Sequence, residues 1–231
     1  MSRHPEAPRH WFLMLLWALA LALGWTVGPF LAAGTWRWPR FWAYAAALII
    51  GTLAHRRYVA SKNPELLKRR QRIGEGTQRW DLVWNFLYWP QMIAAPIVAG
   101  LGVRYGWAQA PWPLFLLGLV LYAAGMSVSG RAMAVNPHFE GTVRLQEELG
   151  HRVIDVGPYS VIRHPGYLGL ALWGLAQPLL LGSWAAGVPA VMVVLWIALR
   201  TALEDAFLRR ALPGYGDYAG RVRARLLPGV W

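Results

Sequence analysis

The sequence predicts an all-α protein, a polytopic membrane helix bundle with about five to six transmembrane helices. Three observations lead to this prediction. Hydrophobic residues make up 56% of the 231 residues and charged residues only 15%. Long uncharged runs recur along the chain, and crossing a bilayer core of ~30 Å takes about 20 helical residues. The basic residues are concentrated between these runs.

The predicted spans follow the uncharged runs in order, and the clearest of these are 11–36, 82–103, 105–130 and 165–199. The last run is long enough for two spans with a turn at Gly182 and Ser183. A weaker candidate, 38–54, contains Arg40, whose long side chain can snorkel to the membrane interface. The first run is longer than the apolar core of a signal peptide, and further spans follow it. We therefore interpret it as a retained helix, with cleavage after it as the alternative.

The basic residues predict the topology. The formal net charge is +12, and a cytoplasmic N-terminus leaves only Arg37, Arg40 and Arg104, of 23 Lys and Arg, outside the cytoplasmic pieces. This positive-inside bias predicts that both termini are cytoplasmic. The excess of basic residues is therefore expected to contact anionic membrane lipids, and its distribution argues against nucleic acid as a partner. The preference for Arg over Lys is typical of a GC-rich bacterial source, so we expect the protein to lie in the cell inner membrane.

The chain divides into two predicted regions. Residues 1–130 hold the N-terminal transmembrane helices and a basic cytoplasmic loop, 55–80, in which 64–70 forms a short helix on the headgroups or a solvated loop. Residues 131–231 hold a polar segment, the last apolar hairpin and a charged tail. Since both polar stretches flank one hairpin, we expect them to enclose a cytoplasmic active site. The chain has no Cys, which excludes thiolate catalysis and cysteine-based metal sites, and we predict no metal.

A polar, turn-forming segment precedes the last apolar run. Pro165 biases His164 toward an extended backbone and can itself begin a helix. Tyr167 and Gly169 then fall on the first helical turn, whose free amides, with Arg163 beside them, suit a carboxylate or phosphate. The structural alternative is an interfacial cluster that only anchors the helix.

A second group of charged residues follows that run. Arg200 and Glu204 lie one helical turn apart and share a face, with Asp205 next to them. Two neighbouring acids can bind an ammonium group or ribose hydroxyls, or accept a proton. The alternative is a simple ion pair between Arg200 and Glu204 at the membrane exit.

Taken together, these segments resemble the isoprenylcysteine carboxyl methyltransferases, integral membrane enzymes related to phospholipid N-methyltransferases. The family pattern joins Gly-Pro-Tyr, Arg-His-Pro-x-Tyr-x-Gly, Arg…Glu-Glu/Asp, Tyr-x-x-Tyr and a terminal Pro. The residues that meet it are Gly157, Pro158, Tyr159, Arg163, His164, Pro165, Tyr167, Gly169, Arg200, Glu204, Asp205, Tyr215, Tyr218 and Pro228. The resemblance covers 131–231, and Asp205 departs from a Glu-Glu pair by having a shorter reach.

The resemblance implies S-adenosylmethionine as the methyl donor, in a cytoplasm-facing pocket without a Rossmann domain. No Gly-x-Gly-x-x-Gly motif follows a strand pattern, which agrees with this. The acceptor it implies is lipidic or a small hydrophobic molecule; its reacting group and the oligomeric state stay open. The implied cofactor-binding residues are Tyr159, Arg163, His164, Pro165, Tyr167, Gly169, Glu204 and Asp205. The implied catalytic residues are Arg200 and Glu204, and Arg131 and Arg200 would contact the acceptor.

Two other functions fit part of the pattern. Sterol-reductase-like, NADPH-dependent membrane oxidoreductases carry a similar Arg-His-Pro-x-Tyr segment. A non-catalytic membrane scaffold would keep the pattern for packing alone. The spacing from Arg200 through Glu204 and Asp205 to Tyr215 and Tyr218 favours methyl transfer.

Overall fold

The computed structural model describes residues 10–70 and 73–231, with side chains from residue 15 onward. Within those ranges the chain forms helices and no β-strand, so the all-α prediction is confirmed there. Arg3, Arg9 and Arg72, which the predicted topology assigns to the cytoplasm, lie outside the described residues. The helices are α1 (His10–Thr26), α2 (Gly28–Ala33), α3 (Pro39–Lys62), α4 (Pro64–Arg69), α5 (Arg79–Arg104), α6 (Pro113–Val135), α7 (Pro165–Leu181), α8 (Gly187–Ala211) and α9 (Tyr215–Arg221).

Proline and glycine mark several helix boundaries. Helices α3, α4, α6 and α7 each begin with a proline, which suits a first turn because an amide hydrogen there has no partner in the helix. Helix α7 ends at Gly182, whose φ of 73° lies in the left-handed region that favours glycine. The helix predicted to begin at Pro165 and the turn predicted at Gly182 are both present.

Two of the predicted apolar runs are each divided between two helices. The run 11–36 forms α1 and α2, because Pro29 has no amide hydrogen to donate to the preceding turn. The run 165–199 forms the hairpin of α7 and α8, the two-helix form of this run. Helix α5, in contrast, continues through Pro90 and Pro96.

Several helices have the dimensions and surfaces of membrane helices. Helices α5 and α6 are long and apolar enough to cross a membrane, with mean hydropathies of 1.4 and 1.7 in their apolar windows. On α8, Val188, Val191, Leu195 and Leu199 form an exposed apolar stripe about three turns long. Soluble monomers rarely expose an apolar surface of this extent. The helices therefore suit a membrane protein.

Helices α6 and α7 approach each other backbone to backbone. A β-carbon built on Gly125 would lie 2.6 Å from the carbonyl oxygen of Gly169, and one built on Gly169 would lie 2.6 Å from that of Gly125. Small residues at such crossings allow membrane helices to pack closely. Gly169 thus serves the α6–α7 contact.

Arg40, near the start of α3, connects that helix to two other parts of the protein. Its side chain is buried, and it donates to the backbone carbonyls of Ala110 at 2.6 Å and Leu179 at 2.8 Å. The second carbonyl belongs to the last turn of α7, where carbonyl groups lack helical partners. Arg40 therefore fixes α3 to the far end of the α7–α8 hairpin.

The loop between α3 and α5 is packed in its first half and is not a solvated loop there. Leu66 of α4 is fully buried against Val59 and Met133. The Asn63 amide donates to the carbonyl oxygen of Met133 at 2.9 Å. This segment therefore covers the chain that follows α6.

Candidate active site

A cavity of about 170 Å³ lies where the end of α6, the start of α7 and the last turns of α8 converge. This volume is far above the ~10–15 Å³ that one water molecule needs. The segment between α6 and α7 and helix α9 complete the wall. The polar lining includes Arg70, Asn136, His138, Glu140, Arg144, Gln146, His151, Tyr159, Arg163, His164, Tyr167, Arg200, Glu204, Tyr215 and Tyr218.

The two sequence motifs meet along this cavity although they are far apart in the chain. The hydroxyl of Tyr167 donates to the carboxylate of Glu204. The hydroxyl of Tyr218 donates to the backbone carbonyl of Tyr159 at 2.7 Å. The structure therefore brings together the two stretches that the sequence predicts to enclose a pocket.

Asp205 lies at the centre of a buried ionic network. Its side chain is 1% exposed. Arg163 binds it through two hydrogen bonds of 2.7 and 3.1 Å, and Arg209 and Arg225 donate to it at 3.1 and 3.2 Å. Charge-assisted, bidentate pairs of this kind are the strong hydrogen bonds of proteins.

Two further side chains complete this network. The hydroxyl of Tyr215 donates to Asp205 at 3.0 Å, and Nε2 of His164 lies 3.3 Å from the same carboxylate oxygen. We call these six residues, Asp205 with Arg163, His164, Arg209, Tyr215 and Arg225, the Asp205 cluster. A carboxylate has about four acceptor positions, so Asp205 has none left for a ligand.

Arg163 is also committed to the protein. Besides its two bonds to Asp205, it donates to the backbone carbonyls of Val222 and Arg223, both at 2.7 Å. Four of its five N–H groups are therefore used within the fold. Arg163 holds the C-terminal tail to the start of α7, and the anion site suggested for it at that helix start has little donor capacity.

Arg200 is held rigidly at the cavity wall. It forms an ion pair of 2.9 Å with Asp81 of α5, and its guanidinium lies over the rings of Trp84 and Tyr167 at 4.3 and 5.1 Å from the ring centres. Its side chain is 7% exposed. The predicted alternative, an ion pair with Glu204, is not formed. The side chain of Arg200 is therefore positioned before any ligand arrives.

Glu204 differs from its neighbour Asp205. It is partly exposed, lines the cavity, and has no salt bridge to any residue in the described ranges. Tyr167 donates a hydrogen bond to it. Because no described cation forms a salt bridge with Glu204, its negative charge can attract a positively charged group of a ligand.

Four of the implied site residues, Asp205 among them, do not line the cavity. Pro165 is buried at the start of α7, Gly169 packs on α6, and Arg131 is exposed on α6. The structure thus brings together Tyr159, Arg163, His164, Tyr167, Arg200 and Glu204 from the implied set, with Asp205 directly behind them.

Sequence reasoning missed part of the wall. Arg70 reaches the cavity from the end of α4, and His138, Gln146 and His151 reach it from the segment between α6 and α7. Arg70 belongs to a basic run that is typical of a cytoplasmic loop, so no sequence signal separates it from its neighbours.

His138 and His151 form a stacked pair at this wall, with ring centres 4.4 Å apart. Burial, followed by the charges of His138 and Arg144, lowers the pKa of His151 from 6.5 to about 4. Burial also lowers the pKa of His138. Both rings are therefore neutral at pH 7, and Nδ1 of His151 accepts a hydrogen bond from the backbone amide of Gln146 at 3.3 Å.

The cavity can bind a ligand that carries both charges. Glu204 supplies a negative charge and forms no salt bridge within the described residues, and Arg200 supplies a positive charge at the wall. Tyr167 contacts both of these residues.

This fold and this cavity define a class of protein, an all-helical, membrane-type protein with a charged ligand pocket beside its apolar helices. Sequence comparison assigns it more closely. Residues 114–210 match the model of the isoprenylcysteine carboxyl methyltransferase (ICMT) family. That segment, about two fifths of the chain, is therefore similar to this family, in agreement with the resemblance that its motifs indicate.

Curated relatives agree with the family match. A probable protein-S-isoprenylcysteine O-methyltransferase of Oryza sativa subsp. indica is 30% identical over 119 residues, which are 50% of this chain and 62% of the relative. Protein-S-isoprenylcysteine O-methyltransferase B of Arabidopsis thaliana is 27% identical over 133 residues, 55% of this chain and 64% of the relative. Protein-S-isoprenylcysteine O-methyltransferase of Schizosaccharomyces pombe is 27% identical over 116 residues, 49% of this chain and 45% of the relative. The chain thus spans about half to two thirds of the length of these relatives.

Proposed function

We propose that this protein is an S-adenosylmethionine-dependent integral membrane methyltransferase that methylates a lipidic acceptor. One observation carries the proposal. The family segment 114–210 contains α7 and nearly all of α6 and α8, and α7 and α8 supply Tyr167, Arg200 and Glu204 to the cavity. The comparisons do not favour the oxidoreductase alternative.

The residues present fit a donor of this kind. S-adenosylmethionine supplies a methyl group on a positively charged sulfur, and it also carries an ammonium and a carboxylate group. Glu204, which lacks a protein cation, would attract one of the positive charges. Tyr167 and the backbone near Tyr159 would bound the donor, while His164 keeps its place in the Asp205 cluster and supports Tyr167 by stacking at a ring distance of 5.7 Å.

Arg200 would position the acceptor. Nη2 of Arg200 is committed to Asp81 and to the backbone carbonyl of Gly141 at 3.0 Å, so Arg200 would attract an acceptor carboxylate mainly by its charge, and such an acceptor needs no general base. Asp81, Trp84 and Tyr167 hold the guanidinium in place before binding. Preorganisation of this kind brings reacting atoms to ~3–3.5 Å with little entropy left to lose. The main task of the protein is therefore to orient the reactants and exclude water.

The names of the relatives specify transfer to oxygen on an isoprenylated cysteine. We therefore propose an acceptor that joins a carboxylate to an apolar tail. Six spans, with both termini and the cavity on the cytoplasmic side of the inner membrane, would let the tail approach from the bilayer and the donor from the cytoplasm. The exposed apolar stripe of α8 supports this placement.

Donor binding tests this proposal directly. Calorimetry on the detergent-purified protein should show binding of S-adenosylhomocysteine. Glu204→Gln should weaken that binding by about ten-fold or more, since a charge-assisted contact is lost, while the thermal midpoint stays near that of the wild type. Glu65→Gln, at an exposed acid that pairs with Lys68 and does not line the cavity, is the control and should bind normally.

The opposite results would reject the assignment. Binding of reduced nicotinamide dinucleotide without binding of S-adenosylhomocysteine would favour the oxidoreductase. Binding of neither would favour a scaffold. With binding established, incubation of enzyme-containing membranes with methyl-labelled donor should label a lipid-soluble carboxylate as a base-labile ester.

A further inference from the structure

Arg70 reaches the cavity from outside the family segment 114–210. It follows the last residue of α4, and its Nη1 donates to the backbone carbonyls of Phe139 and Glu140 at 2.9 and 3.0 Å. Its guanidinium also lies over the ring of Phe139, 5.1 Å from the ring centre. These contacts fix the side chain at the cavity wall.

Arg70 has no carboxylate partner in the described part of the chain, unlike other arginines of the same wall. Glu140 directs its carboxylate to Arg144 at 2.8 Å instead, and Asp81 pairs with Arg200. Arg152 is also unpaired, but it is exposed to solvent. Among the described arginines that line the cavity, Arg70 is thus a half-buried cation without a counter-ion.

One edge of the Arg70 guanidinium remains open. The protein hydrogen bonds found for it all use Nη1, while Nε and Nη2 have no protein acceptor in the described residues. Neither atom is sealed off inside the protein, so both can meet a ligand in the cavity. The Nε–Nη2 edge is a pair of parallel donors with the geometry of a carboxylate.

The local charges favour an anion at this place. Burial, followed by the positive charge of Arg200, lowers the pKa of Arg70, which shows that the two cations act on each other. A negative group between them would relieve this repulsion. Glu204, on the same cavity, has the opposite sign and no protein cation, so the wall complements a group with both charges.

We propose that Arg70 binds a carboxylate of the cavity's ligand through its Nε–Nη2 edge. This inference rests on the proposed function and adds to it a binding residue from the N-terminal region. Two ligands can supply the carboxylate, the amino-acid part of the methyl donor or the reacting end of the acceptor. The role is the same in both cases, and binding measurements separate them.

The experiment compares Arg70→Gln with Arg69→Gln in the full-length protein. Arg69 lies on the same helix end and donates to the carbonyl of Pro137 at 2.8 Å, but it does not line the cavity. Each variant is titrated with two matched ligand pairs. S-adenosylhomocysteine is paired with 5′-methylthioadenosine, which lacks the amino-acid part, and N-acetyl-S-farnesylcysteine is paired with its methyl ester.

We expect Arg70→Gln to weaken binding of one carboxylate ligand by about ten-fold or more. The affinity for the matched ligand without the carboxylate should stay unchanged. A selective loss with S-adenosylhomocysteine identifies the donor as the source, and a selective loss with N-acetyl-S-farnesylcysteine identifies the acceptor. Arg69→Gln should bind all four ligands as the wild type does. Arg70→Lys should recover only part of the loss, because an ammonium cannot form the two parallel bonds.

Two results would overturn the role of Arg70. One is unchanged affinity of Arg70→Gln for both carboxylate ligands. The other is an equal loss for a carboxylate ligand and its partner, which would mean that the wall itself is disturbed. Failure of the proposed function would look different, because the wild-type protein itself would not bind S-adenosylhomocysteine.

Discussion

The Asp205 cluster and the cavity beside it contain the same kinds of residues but differ in how their charges are paired. In the cluster, one buried carboxylate binds three arginines, and each of its oxygens accepts several hydrogen bonds. In the cavity, Arg70 and Glu204 have no ionic partner in the described residues. The adjacent acids Glu204 and Asp205 therefore have different roles. Asp205, whose acceptor positions are all used, holds the C-terminal tail to the helices, whereas Glu204 is available to a ligand.

The largest expected effect comes from breaking the cluster. Asp205→Asn would leave the buried Arg163 without its counter-ion, and removing one partner of a buried pair costs about 3–5 kcal/mol. We expect a lower midpoint of thermal unfolding in detergent, with loss of ligand binding only as a consequence. Glu204→Gln serves as the control, since it changes the neighbouring acid. If both variants had the same midpoint, the distinction between the two regions would be wrong.

A smaller effect is expected from Arg200, which faces the cavity. Arg200→Lys would keep the charge but lose the planar fork and its stacking on Trp84. We expect kcat/KM for a carboxylate acceptor to fall by roughly 100-fold, with little change in donor affinity. The matched control is Arg209→Lys, at a half-exposed arginine of the cluster. Loss of donor binding in Arg200→Lys, with normal turnover of bound donor, would contradict this division of roles.

The smallest effect concerns pH and the histidine pair. The pKa of His151 is about 4 in the folded protein, below 6.5 in the unfolded chain, so acid favours the unfolded state. The stability contributed by neutral His151 is present above about pH 6.5 and declines as the pH falls toward 4. His151→Gln should flatten this part of the curve of unfolding free energy against pH. An unchanged acid slope would show that the pair does not titrate as described.

Much of the fold could be predicted because apolar runs and prolines act locally. The start of α7 at Pro165 and the turn at Gly182 depend on properties of single residues. The division of the first run at Pro29 was missed, because composition alone does not distinguish one long helix from two.

The site could be predicted only where a motif marks it. Tyr167, Arg200 and Glu204 were found through their spacing, but their partners come from elsewhere in the chain. Asp81 of α5, which pairs with Arg200, and Arg70 after α4 have no motif, since only tertiary packing brings them to the cavity. Likewise, nothing in the sequence separates the saturated Asp205 from the free Glu204.

The crossing of Gly125 and Gly169 has a consequence for the site. Gly169 lies two residues after Tyr167, so the distance between α6 and α7 determines where the tyrosine ring stands. A methyl group on either glycine would force the helices apart and shift the ring away from Glu204 and Arg200. The distances from Tyr167 to Glu204 and Arg200 therefore depend on two positions at which the chain carries no side chain.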